Sequence, residues 1–497
     1  MFCQKLNGSI HKFIKPSLPN FINPNLKMFM KKYAAITVIL FFTLAAKANI
    51  RLPNIINNNM VLQQQSAVKL WGWAEPREKI YVTTSWNNKL DSIVTKGDAT
   101  WMLTLQTPAA GGPYTITLKG YNTIILNNVL IGEVWVCSGQ SNMEMNYNWG
   151  LPDIKAVLPT CANNAIRFIT IPKTTASNPQ DNCGGEWITC DSNTLKNFSA
   201  VAYFFGKKLQ DNLNIPIGLI SSNWGGTSAE TWTEAALINN DSVLKASSLK
   251  QLPNPGWPNT AGATYNAMIA PISNYNIAGA IWYQGEGNVI APDTYSKILT
   301  TMIGCWRKSW KKELPFYYVQ IAPFTYGNKF IGSIIREQQN KVMAYPNVGM
   351  AVITDLVDDV KDIHPKSKRG VGERLANWAL AATYHKEGIV YKSPFYKSIE
   401  VQQNKAILSF DNAPNGLTAK DAKITEIYIA GADKIFFAAT ARIVKNQLIV
   451  SSAEVPNPVA VRFAFNNAAI GNLFSKEGLP VGPFRTDDWE LDRGKEE

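Results

Sequence analysis

Histidine is scarce in this chain, with only three copies in 497 residues. His11 lies in an N-terminal segment that we predict is removed. His385 lies at a basic, glycine-terminated helix end, where a surface cation is the ordinary interpretation. If the protein uses an imidazole as a general base, His364 is the histidine left to supply it.

Cysteine is also sparse, and its spacing suggests no metal site. The chain has six cysteines, and no Cys/His spacing matches a zinc-binding pattern, so we expect no metal and no cofactor. In an exported protein we expect Cys183 and Cys190 to form a disulfide, because they are close in sequence. Cys137 ends an apolar run and is predicted to be a free thiol in the core.

Acidic residues are absent from residues 1–48, which carry seven of the lysines. The net charge of +12 is therefore misleading, since the rest of the chain has 42 basic against 37 acidic residues. No long run of Lys and Arg remains there, which argues against a nucleic-acid-binding surface.

The same 48 residues have the organisation of a signal peptide. Met30-Lys-Lys is a short basic segment, residues 33–45 are apolar, and Ala46-Lys-Ala48 fits the small-x-small cleavage pattern. The apolar stretch is too short to anchor the chain stably in a bilayer. We predict cleavage after Ala48, export to the periplasm or the extracellular space, and no membrane span in the mature chain.

The remaining sequence divides into three regions. Residues 49–128 alternate short apolar runs with turn residues, which predicts a small antiparallel β domain. Residues 129–391 alternate strand-type and helix-type segments, and β-type runs return over residues 392–497. In the middle region, the runs that read as buried parallel strands are 133–137, 217–221, 279–283, 316–321 and 348–353.

Polar motifs directly follow most of these strands. Because ligands bind at the carboxyl ends of strands in an open parallel sheet, the motifs are expected to meet at one site. Ser141 follows the first strand in a Ser-Gly-Gln-Ser-Asn turn. A serine at a strand-to-helix turn has an exposed hydroxyl and an unpaired N–H, although a capping serine in a plain turn is the alternative interpretation.

A nucleophilic serine needs a base, an orienting group and donors for the oxyanion. His364 is the predicted base, and Asp362 stands two residues before it. The predicted oxyanion donors are the N–H groups of Ser141 and of Gly225 or Gly226, with a side-chain amide from Gln284 or Asn288. The alternative is that the glycines form an ordinary turn and that Glu286 ties a polar loop together.

Together these motifs resemble the sialate O-acetylesterase family of the SGNH-hydrolase superfamily. The resemblance covers residues 49–490 and rests on Gly139-Gln-Ser-Asn-Met143, Trp224-Gly-Gly-Thr227, Trp282-Tyr-Gln-Gly-Glu-Gly-Asn288, Arg336-Glu-x-Gln339, Asp362-Ile-His-Pro365 and the closing Gly478-Leu-Pro-Val-Gly-Pro-Phe-Arg-Thr-Asp487. It implies a flavodoxin-like three-layer α/β/α domain over residues 129–391, flanked by a β-sandwich domain at 49–128 and a β-rich region at 392–497.

The resemblance also implies roles for individual residues. Ser141 would be the nucleophile, His364 the base and Gln284 the side-chain donor to the oxyanion. The superfamily usually places an Asp three residues before the His, where this chain has Lys361. Asp362 is therefore the expected orienting group, with another nearby acid or a backbone carbonyl as alternatives. The residues expected to contact substrate are Trp224, Glu286 and Arg336.

The implied function is an exported serine esterase that removes O-acetyl groups from carbohydrates through an acyl-enzyme. Acetylated sialic acids and acetylated hemicellulose sugars are the alternative substrates. A second hypothesis, from a different class, is a carbohydrate-binding protein in which the hydrolase fold has lost its activity.

Overall fold

The computed structural model describes residues 49–495. Its N-terminal part consists of short strands that lead into one long strand. Alternating burial in Lys79–Thr84, where Ile80 and Val82 are buried, follows the period of two that one-sided strands show. The strands are β1 (Val61–Gln63), β2 (Ala67–Trp73), β3 (Lys79–Thr84), β4 (Leu90–Val94), β5 (Thr100–Gln106), β6 (Gly111–Lys119) and β7 (Thr123–Gly139).

The long strand β7 pairs with different strands along its two halves. Its first half pairs antiparallel with β6, which pairs in turn with β3. Its second half is buried on both faces and enters a parallel sheet. The other strands of that sheet are β8 (Asn163–Thr170), β9 (Ile188–Cys190), β10 (Ile217–Asn223), β11 (Gly279–Tyr283), β12 (Phe316–Val319) and β13 (Val348–Ala351).

The strand order β13-β12-β11-β7-β10-β8-β9 places β7 in the middle of this sheet. Every neighbouring pair is parallel except β8 with the edge strand β9. The chain adds β8 and β10 on one side of β7 and then crosses to β11 on the other. The carboxyl end of β7 is therefore the switch point at which open α/β sheets bind ligands.

Helices cover both faces of the sheet. Trp135 and Cys137 share a core with Ala200–Leu213 and Lys368–Trp378 on one face, while Val134 and Val136 share a core with Tyr295–Trp310 on the other. The predicted three-layer α/β/α class is confirmed. The α-helices are Ser141–Glu144, Pro152–Val157, Ser192–Leu195, Ala200–Leu213, Ala235–Asn239, Ser242–Ser248, Tyr295–Trp310, Ile331–Val342 and Lys368–Trp378.

Shorter helical turns connect these elements. Tyr265–Ile269 and Ala379–Thr383 are π-helical. The 3₁₀ turns are Tyr147–Trp149, Leu158–Thr160, Ala229–Trp232, Ala270–Ile272, Glu286–Asn288 and Pro292–Thr294.

The C-terminal part forms antiparallel sheets around a separate core that includes Leu408, Ile429 and Val461. Two four-stranded sheets have the orders β14-β15-β20-β19 and β18-β17-β21-β23. The strands are β14 (Phe395–Gln402), β15 (Lys405–Asp411), β16 (Leu417–Ala419), β17 (Ile427–Ala430), β18 (Phe436–Ala438), β19 (Thr440–Val444), β20 (Gln447–Ser451), β21 (Ala460–Phe463), β22 (Leu473–Ser475) and β23 (Phe484–Arg485).

Strand β8 is the parallel strand that the sequence pattern did not reveal. Arg167 interrupts its apolar run, and this side chain is nonetheless buried. Its guanidinium donates to Thr189 Oγ1 and, at 3.3 Å, to Asn128 Oδ1. A buried arginine that finds partners on neighbouring segments hides a strand from any rule based on apolar runs.

Helix Lys368–Trp378 begins three residues after Pro365. Its cap comes from elsewhere in the chain, because Asp153 Oδ2 accepts the N–H groups of Lys368 and Arg369 at 2.7 Å each.

The predicted disulfide between Cys183 and Cys190 is absent, and both thiols are free. Cys183 belongs to the hydrophobic core on one face of the sheet, whereas Cys190 belongs to the core on the opposite face. Closeness in sequence therefore did not bring the two thiols together.

The predicted domain boundaries at 128/129 and 391/392 stay predictions. Residues from Asn49 onward form one compact unit, and β7 crosses the first boundary. The predicted signal peptide and its cleavage after Ala48 lie outside the described residues. Within residues 49–495, no helix has both the length and the apolar character needed to cross a membrane.

Candidate active site

The turn after β7 presents Ser141 at the carboxyl edge of the sheet. Gly139 ends the strand with φ +141°, and a Cβ there would lie 2.2 Å from the carbonyl oxygen of Tyr283 on β11, so only glycine fits. Gln140 then donates its backbone N–H to the same carbonyl at 3.0 Å. Ser141 opens the short helix Ser141–Glu144, whose first N–H groups have no intrahelical acceptor.

Ser141 and His364 are in hydrogen-bond contact. His364 Nε2 lies 2.9 Å from Ser141 Oγ, although 223 positions separate the two residues. Trp149 packs against the imidazole edge-to-face, with ring centroids 5.3 Å apart. The structure thus brings together the predicted nucleophile and the predicted base, within the reach that general-base catalysis requires.

Asp362 makes a weaker contact with the imidazole than its position in the sequence suggests. Its Oδ1 atom lies 3.7 Å from His364 Nδ1, which is beyond hydrogen-bond distance. The same oxygen accepts the backbone N–H of His364 at 2.9 Å. The Asp362 side chain is 45% exposed, and its carboxylate hydrogen-bonds to the loop backbone but not to the imidazole.

The environment of His364 favours the neutral imidazole. Burial is the largest cause of its lowered pKa, and the nearby Lys368 ammonium adds to the effect. Asp362 acts in the opposite direction but does not reverse the shift. A base with a lowered pKa stays unprotonated, and so able to accept a proton, at lower pH.

Ser141 and His364 line a cleft of about 760 Å³. Three tryptophans, Trp149, Trp224 and Trp257, line its walls. Trp257 lies so close to Gly226 that a Cβ there would fall 2.2 Å from the indole ring. The polar lining includes Gln140, Glu144, Lys173, Gln251, Asn254 and Asn259.

One predicted oxyanion donor is occupied by a carboxylate. Gly225 lies close to the serine, since a Cβ there would be 3.3 Å from Ser141 Cβ. Its N–H, however, donates to Glu144 Oε2 at 2.8 Å. Glu144 Oε1 is paired with Lys173 Nζ at 2.6 Å.

The predicted side-chain donors, Gln284 and Asn288, are not among the residues that line the cleft, and their role in the oxyanion hole stays a prediction. Gln284 Nε2 donates to Thr227 O at 3.2 Å and to Asn288 Oδ1 at 2.8 Å. Asn288 Nδ2 donates to Glu230 Oε2 at 2.9 Å. Both amides are fully buried, and their hydrogen bonds join loops to one another beneath the site.

The three residues predicted to contact substrate, Trp224, Glu286 and Arg336, lie in different places in the structure. Trp224 lines the cleft, and its Nε1 donates to Gly256 O at 3.3 Å. Glu286 borders the cleft, but its Oε1 accepts from Asn142 Nδ2 at 2.9 Å, and burial raises its pKa to about 7.

Arg336 is the third of these residues and is not among those that line the cleft, and its predicted contact with substrate stays a prediction. It is completely buried and donates to the backbone carbonyls of Asn466 and Asn467. These contacts fasten the helix Ile331–Val342 to the C-terminal part of the chain.

Two residues at the site, Glu144 and Lys368, were not predicted from the sequence. Glu144 stands one helical turn after Ser141, a spacing that puts both on the same side of a helix. Lys368 precedes Val371 and Leu375 at helical spacing, so its position on an apolar face was readable. Within residues 49–495, no group of three or more His, Cys, Asp or Glu side chains is arranged to hold a metal.

Comparison with known proteins connects this geometry to a family. A family model described as "Carbohydrate esterase, sialic acid-specific acetylesterase" matches residues 131–381. Proteins named sialate O-acetylesterase from Homo sapiens and Pongo abelii are each 31% identical over 430 residues, which is 78% of this chain and 82% of theirs. The solved structure of a carbohydrate acetylesterase from Xanthomonas citri is 35% identical with a TM-score of 0.81, covering 88% of this chain and 100% of that one.

The α/β/α fold, the serine-centred cleft and these matches define the protein as a carboxylic ester hydrolase. Within that class, the chain belongs to the carbohydrate esterase family of sialic acid-specific acetylesterases.

Proposed function

We propose that this protein removes O-acetyl groups from carbohydrates and carries the acetyl group on Ser141 during turnover. The observation that carries the proposal is the 2.9 Å contact between Ser141 Oγ and His364 Nε2 in an open cleft. Tryptophan walls support a carbohydrate substrate, because aromatic faces pack against the apolar faces of sugar rings.

The reaction begins with attack of Ser141 Oγ on the acetyl carbonyl carbon, while His364 Nε2 takes the hydroxyl proton. The tetrahedral intermediate collapses to acetyl-Ser141, and the imidazolium returns the proton to the departing sugar oxygen. A water molecule then attacks the acetyl-enzyme with the same base, which releases acetate and restores the serine hydroxyl.

The developing oxyanion needs donors that point into the cleft. The N–H of Ser141 is the first, because it opens a helix and has no intrahelical acceptor. The N–H of Gly225 is the second once a substrate oxygen displaces the Glu144 carboxylate that now accepts it. Gly226 adjoins this pair in the same turn and is the alternative donor.

The charge of the cleft favours a neutral sugar. Lys173 is the lysine that lines the cleft, and Glu144 already pairs with it at 2.6 Å. A sialic acid carboxylate would need a cation of its own for a strong charge-assisted contact. We therefore keep acetylated hemicellulose sugars as proposed substrates, as well as acetylated sialic acids.

The test is acetate release from O-acetylated sialic acids, acetylated xylan fragments and a chromogenic acetate, each compared with Ser141→Ala. Release from xylan fragments alone would reject sialic acids and keep the esterase. Binding of acetylated sugars without release from any substrate would instead identify a silent carbohydrate-binding protein.

We also propose that the chain is exported after cleavage of its leader. N-terminal sequencing of the mature protein should begin at Asn49. A mature chain that keeps residues 1–48 would reject this proposal without affecting the chemistry.

A further inference from the structure

A buried chain of hydrogen bonds lies directly beneath the Ser141–His364 pair. Lys368 Nζ donates to Asn142 Oδ1 at 2.7 Å, and Asn142 Nδ2 donates to Glu286 Oε1 at 2.9 Å. Asn142 and Lys368 are fully buried, and Glu286 is 7% exposed. Burial raises the pKa of Glu286 and lowers the pKa of Lys368, each to about 7. Burying three polar side chains, two of them ionisable, is costly, so a functional reason is expected.

The bridge ends on the loop that carries the base. Asn142 Nδ2 also donates to the carbonyl oxygen of Ile363 at 3.1 Å, and Ile363 immediately precedes His364. One amide thus ties together the turn after β7, the loop after β11 and the loop after β13. Asn142 is itself the neighbour of Ser141, so the bridge connects the nucleophile's turn to the base's loop.

Asp362 restrains the His364 imidazole only weakly, whereas the Asn142 bridge holds the backbone next to His364 firmly. Its carboxylate is half exposed and lies 3.7 Å from Nδ1. Solvent and salt screen such a contact, whereas the Asn142 contacts are shielded from both.

The charged groups around the base are few. Lys368 faces His364 from the helix that follows it, and Asp362 faces it from its own loop. Ser141 and Trp149 also contact the imidazole and carry no charge, and the paired Glu144 and Lys173 line the same cleft. Glu286 lies farther back, against Asn142, and offsets the Lys368 charge within the bridge.

We propose that Asn142 is a positioning residue for catalysis. Held by Lys368 and Glu286, it fixes the Ile363 peptide so that the His364 ring faces Ser141. The bridge takes over much of the orienting task that a carboxylate on Nδ1 performs in other serine hydrolases. This inference rests on the proposed Ser141–His364 mechanism.

The main test is Asn142→Leu, which has a similar volume and no hydrogen-bonding groups. We expect kcat to fall by about 10²-fold, as for a small misplacement of a reacting group, with KM almost unchanged. Phosphonylation of Ser141 by a small organophosphonate should slow by a similar factor, because that reaction needs the same base and no sugar contacts.

Asn266→Leu is the matched control. Asn266 is also buried and donates its amide to a backbone carbonyl, that of Ala176, at 3.1 Å. It does not line the cleft, so the variant should lose stability and keep kcat. Equal kcat losses in the two variants would reduce Asn142 to a structural residue and overturn the inference.

Two further variants keep the test decisive if Asn142→Leu does not fold. Asn142→Asp retains the acceptor for Lys368 but loses the donor to Ile363 O, so it should show the same kcat loss. Lys368→Met removes a positive charge that disfavours the imidazolium, so the acid limb of kcat/KM should move to higher pH.

Normal kcat in Asn142→Asp, or an unmoved acid limb in Lys368→Met, would overturn the inference. The proposed function fails separately, through full activity of Ser141→Ala. An inactive Ser141→Ala alongside a fully active Asn142→Leu would reject the bridge and keep the esterase mechanism.

Discussion

Two groups of polar residues follow strands of the central sheet, and they differ in whether their side chains line the cleft or are buried. Ser141 and His364 contact one another at 2.9 Å on the lining of a cleft. Gln284 and Asn288, at the end of the neighbouring strand, are fully buried and bonded to each other at 2.8 Å. Both groups lie at strand ends where a parallel sheet binds ligands, yet Ser141 and His364 line the cleft and the two amides do not.

The difference shows that a position at a strand end identifies candidate functional residues. The hydrogen-bond partners of each side chain then determine whether it faces the cleft. Glu230 accepts from Asn288, and Tyr295 donates its hydroxyl to Gln284 Oε1 at 2.9 Å. An amide with both oxygen and nitrogen satisfied in this way supports a loop. Substitutions in the open pair, Ser141 and His364, and in the buried amides, Gln284 and Asn288, distinguish catalysis from loop support.

The largest effect is expected for the open pair. Ser141→Ala and His364→Ala should each lower kcat by about 10⁴–10⁶-fold, and the double variant should be no worse, because the two residues act as a unit. Single-turnover acetate release measures this. Ser138→Ala is the control, since this serine lies on β7, three residues before Ser141, with its hydroxyl buried, and the variant should keep its turnover. Near-normal turnover of Ser141→Ala would contradict the mechanism.

The buried amides should affect stability more than catalysis. Gln284→Ala should lower the free energy of unfolding by about 1–3 kcal/mol, because it leaves buried partners unsatisfied. Its kcat should fall by less than about tenfold. Urea denaturation and steady-state kinetics on the same preparation separate the two quantities. A kcat loss of about 10²–10³-fold at normal stability would return Gln284 to the oxyanion hole.

Asp362 should have a far smaller effect on kcat than Ser141 or His364. Asp362→Asn should lower kcat by about tenfold or less, far below the ~10⁴-fold cost of losing the buried aspartate of a serine-protease triad. The physical reason is the 3.7 Å separation from Nδ1 and the 45% exposure of the side chain. Asp359→Asn, an exposed neighbour on the same loop, is the matched control. A loss of several orders of magnitude would show that Asp362 grips the ring during turnover.

The pH dependence gives a smaller effect with a definite sign. Burial and Lys368 lower the pKa of His364, so the imidazole loses its proton at lower pH than usual. Activity should therefore rise with pH and reach half its maximum below the ordinary histidine value of ~6.5. A profile of kcat/KM against pH measures this midpoint. Activity that falls as pH rises through neutrality would indicate a carboxylic acid as proton donor.

Chelation should have the smallest effect. The proposed mechanism activates Ser141 through His364 and stabilises charge with N–H groups, so EDTA should leave kcat unchanged. The measurement is chromogenic acetate hydrolysis before and after dialysis against the chelator. A loss of activity that a divalent ion restores would contradict the serine mechanism.

The sequence by itself determined the features that depend on local pattern. Buried apolar runs of strand length predicted five of the parallel strands, and the Gly139 turn predicted an exposed serine. The scarcity of histidine indicated His364 as the base. These features were readable because burial on both faces, turn chemistry and composition each leave a mark within a few residues.

Only the tertiary structure decided which polar side chains face the cleft. Arg336 follows the pattern of a predicted site residue, yet it donates to two carbonyls about 130 positions away. Glu144 occupies the Gly225 N–H across 81 positions, and Lys368 reaches Asn142 across 226. A side chain's role depends on its burial and on the nearest complementary group, and in a folded chain that group comes from distant sequence.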